Sequence, residues 1–286
     1  MPAPPYRTIA VASAFSPRFE QVLAEAKRAR DRLGVDLNLI FVGKKNAETT
    51  RRFSEALVAL KLPADSRIHY HQGSPAEAIL EAVRANAVQL LVAGALEKEV
   101  IHRSFLGDVA RRLVREAPCS VLLFTTPERE PTPLRRIVFF VPDYSAHARS
   151  ALKIALHLAL QEECEKLYVI RVYTTFDAAR AQLRAKAAKS AKTANANAPR
   201  PAAAARTLEE EEAALDEFII AAGETRVPIE ARCIRGNTGF AASNFVQAVE
   251  ANLLVVPVAP GSGRSELPAH IAWVTDVIPC NLWVIR

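Results

Sequence analysis

Apolar and polar positions along the chain alternate between two signatures. Predominantly apolar runs occupy 7–12, 35–42, 88–93, 137–141, 167–172 and 253–258, with 88–93 almost wholly apolar apart from Gln89. Such runs read as strands of a parallel sheet covered on both faces, where no in-and-out alternation is needed. Between them, apolar residues fall three or four apart, as in Phe19, Leu23, Ala26, Ala29 and Leu33, which is one stripe of an amphipathic helix. Local signals mark the ends. Ser16-Pro17 predicts an N-cap and first-turn proline, and Gly34 a helix stop. Ser74-Pro75-Ala76-Glu77 and Thr207-Leu208-Glu209-Glu210 read as capping boxes. Helices are predicted over 46–61, 74–85, 145–160, 208–222 and 239–251, with further strands over 68–72, 229–234 and 282–285.

The pattern occurs twice. Ala93-Gly94, Phe105-Leu106-Gly107-Asp108-Val109 and Ala117-Pro118-Cys119-Ser120-Val121-Leu122-Leu123 return as Leu267-Pro268-Ala269-His270-Ile271 and Ile278-Pro279-Cys280-Asn281-Leu282-Trp283-Val284. A repeat of this length marks a duplicated unit. The expected organisation is a first domain over 1–126, a proline-rich linker over 127–134, and a second domain over 135–286. Five strands alternating with four helices in each half predict parallel strands, right-handed crossovers and ligand sites at the carboxyl ends of the strands. The fold class is therefore α/β, with two tandem three-layer α/β/α sandwiches, each built on a five-stranded parallel sheet.

Composition narrows the classes. Half of the residues are apolar, enough for two cores, yet no run reaches the roughly 18–20 residues that would span a bilayer. The N-terminal Met1-Pro2-Ala3-Pro4-Pro5 lacks the features of a secretory signal, which leaves the cytoplasm as the expected compartment. The spacing of the four cysteines nominates no metal knuckle, so buried, reduced thiols are expected. The formal net charge is +6. Residues 177–206 carry an excess of that size by themselves, through Arg180, Arg184, Lys186, Lys189, Lys192, Arg200 and Arg206 against Asp177. Neither half is thus a basic, nucleic-acid-binding domain. The segment is an insertion of high helix propensity with no large apolar stripe to dock it, read as a solvated arm or as a binder of anionic partners.

Taken in order over both copies, these residues resemble the universal stress protein family. The resemblance rests on Gly94, Gly107, Pro118-Cys119, Gly73-Ser74-Pro75 and the second-copy echo Gly236-Asn237-Thr238. It implies a Rossmann-like, adenine nucleotide alpha hydrolase-like sandwich of strand order 3-2-1-4-5. It also implies a phosphate loop of pattern G-x2-G-x9-G-[ST] after the fourth strand, and an acidic residue after the first strand that holds the adenine end.

On that pattern each copy keeps a different part of a nucleotide site. In the first copy Gly94 and Gly107 remain, Glu97 and Asp108 replace the middle glycine and the Ser/Thr, and Ser13 stands at the acidic position. A carboxylate at a helix start competes with phosphate for the free N–H groups there. In the second copy Asp143, within Pro142-Asp143-Tyr144-Ser145, stands at the acidic position, but prolines interrupt the loop and Pro268-Ala269 replaces the last Gly-Ser. Gly261, Ser262, Gly263 and Arg264 leave a different, smaller anion site open. The candidate nucleotide residues are therefore Asp143, Gly94, Gly107, Asp108 and Ser13, with ATP or another adenine nucleotide as the open cofactor.

Other chemistry is weaker. His69 and His71 share a strand face but lack a third metal ligand. Asp143, Ser145 and His147 sit too close in sequence to converge as a triad, and no nucleophile elbow is present. The expectation is a non-catalytic tandem stress protein that acts by binding or scaffolding an unknown protein partner, its copies packed as an intramolecular pseudo-dimer through their last strands, with a homodimer left open. An adenine-nucleotide sensor is the alternative, and a weak hydrolase or nucleotidyl-transfer enzyme ranks last.

Overall fold

A computed structural model describes residues 4–95, 97–100, 103–191, 205–259, 267, 271–275 and 280–286, with backbone alone for 97–100, 103–106 and 186–191. The first half runs β1 (Thr8–Ser13), α1 (Phe19–Leu33), β2 (Asp36–Val42), α2 (Ala47–Ala59), β3 (Ile68–His71), α3 (Pro75–Ala85) and β4 (Leu90–Gly94). A short hairpin follows, β5 (Glu97–Val100) and β6 (Arg103–Leu106), then α4 (Asp108–Glu116) and β7 (Ser120–Phe124). The second half runs β8 (Arg136–Phe140), α5 (Ala146–Gln161), β9 (Lys166–Tyr173), α6 (Thr175–Ala191), α7 (Leu208–Ile220) and β10 (Ile229–Arg235). It closes with α8 (Thr238–Ala248), β11 (Leu253–Pro257), a 3₁₀ turn over Ala272–Thr275 and β12 (Asn281–Ile285).

Ten strands form one sheet, in the order β10-β9-β8-β11-β12-β7-β4-β1-β2-β3. Each half contributes five parallel strands in the expected 3-2-1-4-5 order. The halves meet where β7 and β12 pair antiparallel, with Leu122 opposite Trp283. The bonds at this seam repeat with the symmetry of the duplication. The Thr125 amide donates to Asn281 Oδ1 at 3.0 Å, and at the other end the Arg286 amide donates to Ser120 Oγ at 3.1 Å.

Two apolar layers flank the sheet, and each runs through both halves. One gathers α1, α2, α5 and α7 through residues such as Leu23, Phe53, Leu152 and Phe218. The other gathers α3, α4, α8 and the 3₁₀ turn through Ile79, Leu113, Val246 and Val274. Strand residues alternate between them: Leu90 and Val92 face the first layer, Leu91 and Ala93 the second. Trp283 is fully buried beside the seam, its ring 6.3 Å from that of Tyr6. Where α1 meets the second half, Arg28 donates to Glu25 at 2.8 Å, to Glu162 at 3.3 Å and to the Thr132 carbonyl at 2.6 Å. Both carboxylates are buried.

Several local expectations need correction. Helix α1 starts two residues after Pro17, with Arg18 at the N-cap and no side-chain cap, because Ser16 lies in the preceding turn. Ser74 is an N-cap with no side-chain bond, so its capping box does not form, whereas Asn46 and Thr49 make a reciprocal one. The Thr207–Glu210 box forms, and Gly34 closes α1 in the left-handed conformation at φ 67°. Among the four free cysteines Cys119 and Cys164 are buried, but Cys233 and Cys280 only half-buried. The inserted helix α6 does dock, through Ala181, and is capped by Thr174 and Asp177, whose side chains each bond the other's backbone N–H. Residues 192–204 of the insertion lie outside the described residues, as do Gly261 to Arg264, Pro268, Ala269, His270 and His102.

Candidate functional site

The carboxyl ends of β1 and β4, adjacent in the sheet, bring the first-half candidates to one edge. Ser13 ends β1, buried, and its Oγ has no hydrogen-bond partner among the described residues. Gly94 ends β4, and a Cβ there would lie 2.6 Å from Val22 Cγ2. Its requirement for glycine is therefore the close approach of α1 to the sheet. Gly107 is the N-cap of α4 at φ −62° and ψ 157°, extended backbone that any residue adopts. Asp108, the first residue of α4, is exposed. The segment read as a phosphate loop contains the antiparallel hairpin β5–β6, in which Glu97 pairs with Leu106. This hairpin escaped the sequence reading because Glu97-Lys98-Glu99-Val100 carries neither strand propensity nor a turn signal.

Asp143 belongs to a different edge, since β8 is separated from β1 by β11, β12, β7 and β4. It is exposed, and its Oδ1 accepts the Ser145 amide at 2.9 Å, while Ser145 Oγ accepts the Ala148 amide at 3.1 Å as the N-cap of α5. His147 Nε2 lies 3.4 Å from the Ile285 carbonyl oxygen. These three side chains thus serve the helix start and the neighbouring strand and do not converge. Ile9 pairs with Leu37 and Leu90 as Ile137 pairs with Leu167 and Leu253, which sets the end of β1 against the end of β8, and Asp143 lies in the loop past the paired residues.

What fills the space beyond these strands was not read from the sequence. In the first half Phe15 turns inward, its ring centroid 4.8 Å from Phe41 of β2, 4.9 Å from Phe53 of α2 and 5.0 Å from Phe19. The Arg52 guanidinium covers the Phe15 ring at 4.0 Å. In the second half the residue in register with Phe41 is Arg171. Its Nε donates to Glu211 Oε1 at 2.8 Å, and its Nη1 to the carbonyls of Val141 at 3.2 Å and Pro142 at 2.5 Å. The Tyr144 hydroxyl donates to the same carboxylate at 3.1 Å, and Arg206 approaches it at 3.6 Å. Burial, with Glu211 adding to it, pushes the Tyr144 hydroxyl above its ordinary range. On the opposite sheet face Trp273 packs edge-on to Phe140 at 5.7 Å, and a Cβ at Gly239 would meet it at 2.8 Å.

Among the described residues no group of three His, Cys, Asp or Glu side chains could hold a metal ion. No helix among them is long and apolar enough to cross a membrane.

The doubly covered parallel half-sheets, with their candidate residues at the carboxyl ends, define an α/β protein of Rossmann-like class. Residues 5–125 match the model of the universal stress protein family. Residues 5–125 thus carry a universal stress protein domain. It is 37% identical over 79 residues to a universal stress protein of Thermus aquaticus, 28% of this chain and 56% of that one. The chain spans about half the length of the curated relatives it matches. Two solved structures share the fold over both halves. A functionally unknown protein from Pseudomonas aeruginosa superposes with TM-score 0.69 at 17% identity, covering 98% of this chain and 92% of its own. A universal stress protein from Archaeoglobus fulgidus does so with TM-score 0.63 at 14% identity, covering 98% of each.

Proposed function

We propose that the chain is a non-catalytic tandem universal stress protein that acts in stress adaptation by binding or scaffolding a protein partner, with a degenerate nucleotide site in each half. Its copies are 1–126 and 135–286, joined by 127–134 and packed as an intramolecular pseudo-dimer. The observation that carries the reading is the Phe15 ring seated on Phe41 and Phe53. Apolar rings occupy the space beyond β1 and β2, where an adenine held by an acidic residue would need a polar anchor and room. The second half supports the same reading, because Arg171, Glu211 and Tyr144 spend their polar atoms on one another. The seam supports the pseudo-dimer: β7 and β12 already pair, so that edge offers nothing to a second chain.

A second reading, an adenine-nucleotide sensor, is favoured by one observation, the buried Ser13 hydroxyl at the end of β1, which has no partner among the described residues. Thermal unfolding with ATP, ADP and AMP, each with and without magnesium, separates the two. The scaffold reading expects no saturable stabilisation. A nucleotide present at a hundredfold its Kd would stabilise the protein by about 2.7 kcal/mol, and that result would replace the scaffold with the sensor.

A further inference from the structure

Helix α6 has two faces. Its inner one rests on the molecule through Ala181, and Arg184 holds it to α7 by donating to Glu210 at 3.0 Å and to the Ala205 carbonyl at 3.0 Å. Phe176 and Leu183, seven residues apart and hence on one side of a helix, are 80% and 65% exposed. Ala179 and Arg180, also exposed, lie between them on the same side. The sequence predicts no stripe of large apolar residues that would dock the inserted segment, and Leu183 within it and Phe176 just before it indeed face away from the core. Asp177, the one acid in the helix, is consumed by its bonds to Thr174. With Arg184 held by Glu210, it is Arg180, Lys186 and Lys189 that leave the helix cationic.

We propose that the outward face of α6 docks on an anionic lipid surface, lying on it without crossing it. The chemistry that favours this occupant is the combination of two apolar anchors with the exposed Arg180 between them and two lysines further along the same helix, which gains from both the acyl boundary and the headgroup charge. A folded protein partner fits less well, because a convex stripe with two large apolar residues is too small for a stable interface. Nucleic acid fits less well again. The stripe has one aromatic ring for stacking, and Leu183 has no role against a base. A membrane needs no shape complementarity, and the small Ala179 between the anchors lets the helix lie close to the surface.

The test is flotation of the full chain with vesicles of phosphatidylcholine alone and with 30% phosphatidylglycerol, at about 50 mM and about 300 mM salt. Binding to the anionic vesicles alone is expected, falling at least tenfold at the higher salt as charge is screened. The doubly substituted F176S/L183S protein is expected to lose at least tenfold at low salt. Its unfolding midpoint should not change, since both side chains are exposed. A single-stranded oligonucleotide serves as the competing anion. Failure of the chain to float with anionic vesicles, equal binding to both vesicle types, unchanged binding of F176S/L183S, or binding to the oligonucleotide alone would each overturn the proposal.

Discussion

Phe41 and Arg171 occupy the same register position in the two halves, on the second strand and facing the same apolar layer, yet they stabilise their surroundings by opposite means. Around Phe41 the structure packs rings: Phe53 meets it edge-on at 5.3 Å and Tyr70 at 5.9 Å. Around Arg171 it pairs charges, with Glu211 on the facing helix and Cys233 on the strand position equivalent to Tyr70. On α7 the buried residues Glu211, Leu215 and Phe218 face the sheet, and Glu211 is the one that meets Arg171. A duplicated frame thus tolerates either solution, provided that each polar atom brought inside finds a partner. The difference also bears on the proposed function: on that reading an aromatic plug closes one ligand edge by filling space, whereas an ion-paired network closes the other by using up its donors and acceptors.

The comparison can be broken first at the rings. Phe53→Ala should destabilise the protein by about 3–5 kcal/mol, the usual effect of truncating a fully buried aromatic, measured by urea unfolding. A change below about 1 kcal/mol would mean that the cluster around Phe15 collapses freely and does not hold the edge shut.

The charge network should respond differently to single and double changes. Arg171→Met leaves the Glu211 carboxylate buried with Arg206 at 3.6 Å as its nearest cation. A loss of about 2–4 kcal/mol is expected, somewhat below that for a fully buried pair because Arg171 is partly exposed. The double variant R171M/E211L should recover most of that loss, since an apolar pair of similar volume needs no partner. Equal losses in the single and double variants would show that packing, and not charge, holds this site.

The smallest effect is a rate. Burial, with the carboxylates of Glu211 and Glu212 adding to it, pushes the Cys233 thiol up to about 11. A thiol whose value is raised on folding contributes stability below its unfolded value of about 9 and loses it as pH rises through about 11. Alkylation of Cys233 in the native protein should therefore be slow at pH 8 and rise about tenfold per pH unit toward 11. Mass spectrometry that found Cys233 alkylated at pH 8 as fast as in the unfolded chain would contradict the placement of this thiol. Tyr70, at the equivalent position in the first half, offers no such group.

Much of the architecture was readable from residue order. Continuous apolar runs such as 253–258 have one stable home, a parallel strand covered on both sides, and β11 lies there, with Leu253 to Pro257 all buried. Gly34 and the Thr207–Glu210 box set their helix boundaries by local chemistry, which neighbouring elements do not override. Ser16-Pro17 and Ser74 misled because a capping signal states only that a helix can begin nearby. The start of α1 is set by Phe19 and Leu23 packing onto the sheet.

The candidate site was legible only in part. Gly94 could be picked out by type, but its reason, the approach of Val22, depends on how far α1 leans onto β4. Asp143 could be picked out by its place after the first strand of its copy, but that its carboxylate accepts the Ser145 amide depends on how the start of α5 folds. The sequence by itself determined that the chain is a duplicated α/β unit, because strand and helix periods are local properties that survive substitution. Only the tertiary structure decided that rings gather at Phe15 and charges at Arg171, and that β7 and β12 join the halves in one sheet. Contacts such as Phe15 on Phe53, or Arg171 on Glu211, join residues about 40 positions apart, and no local pattern encodes which side chain will meet which.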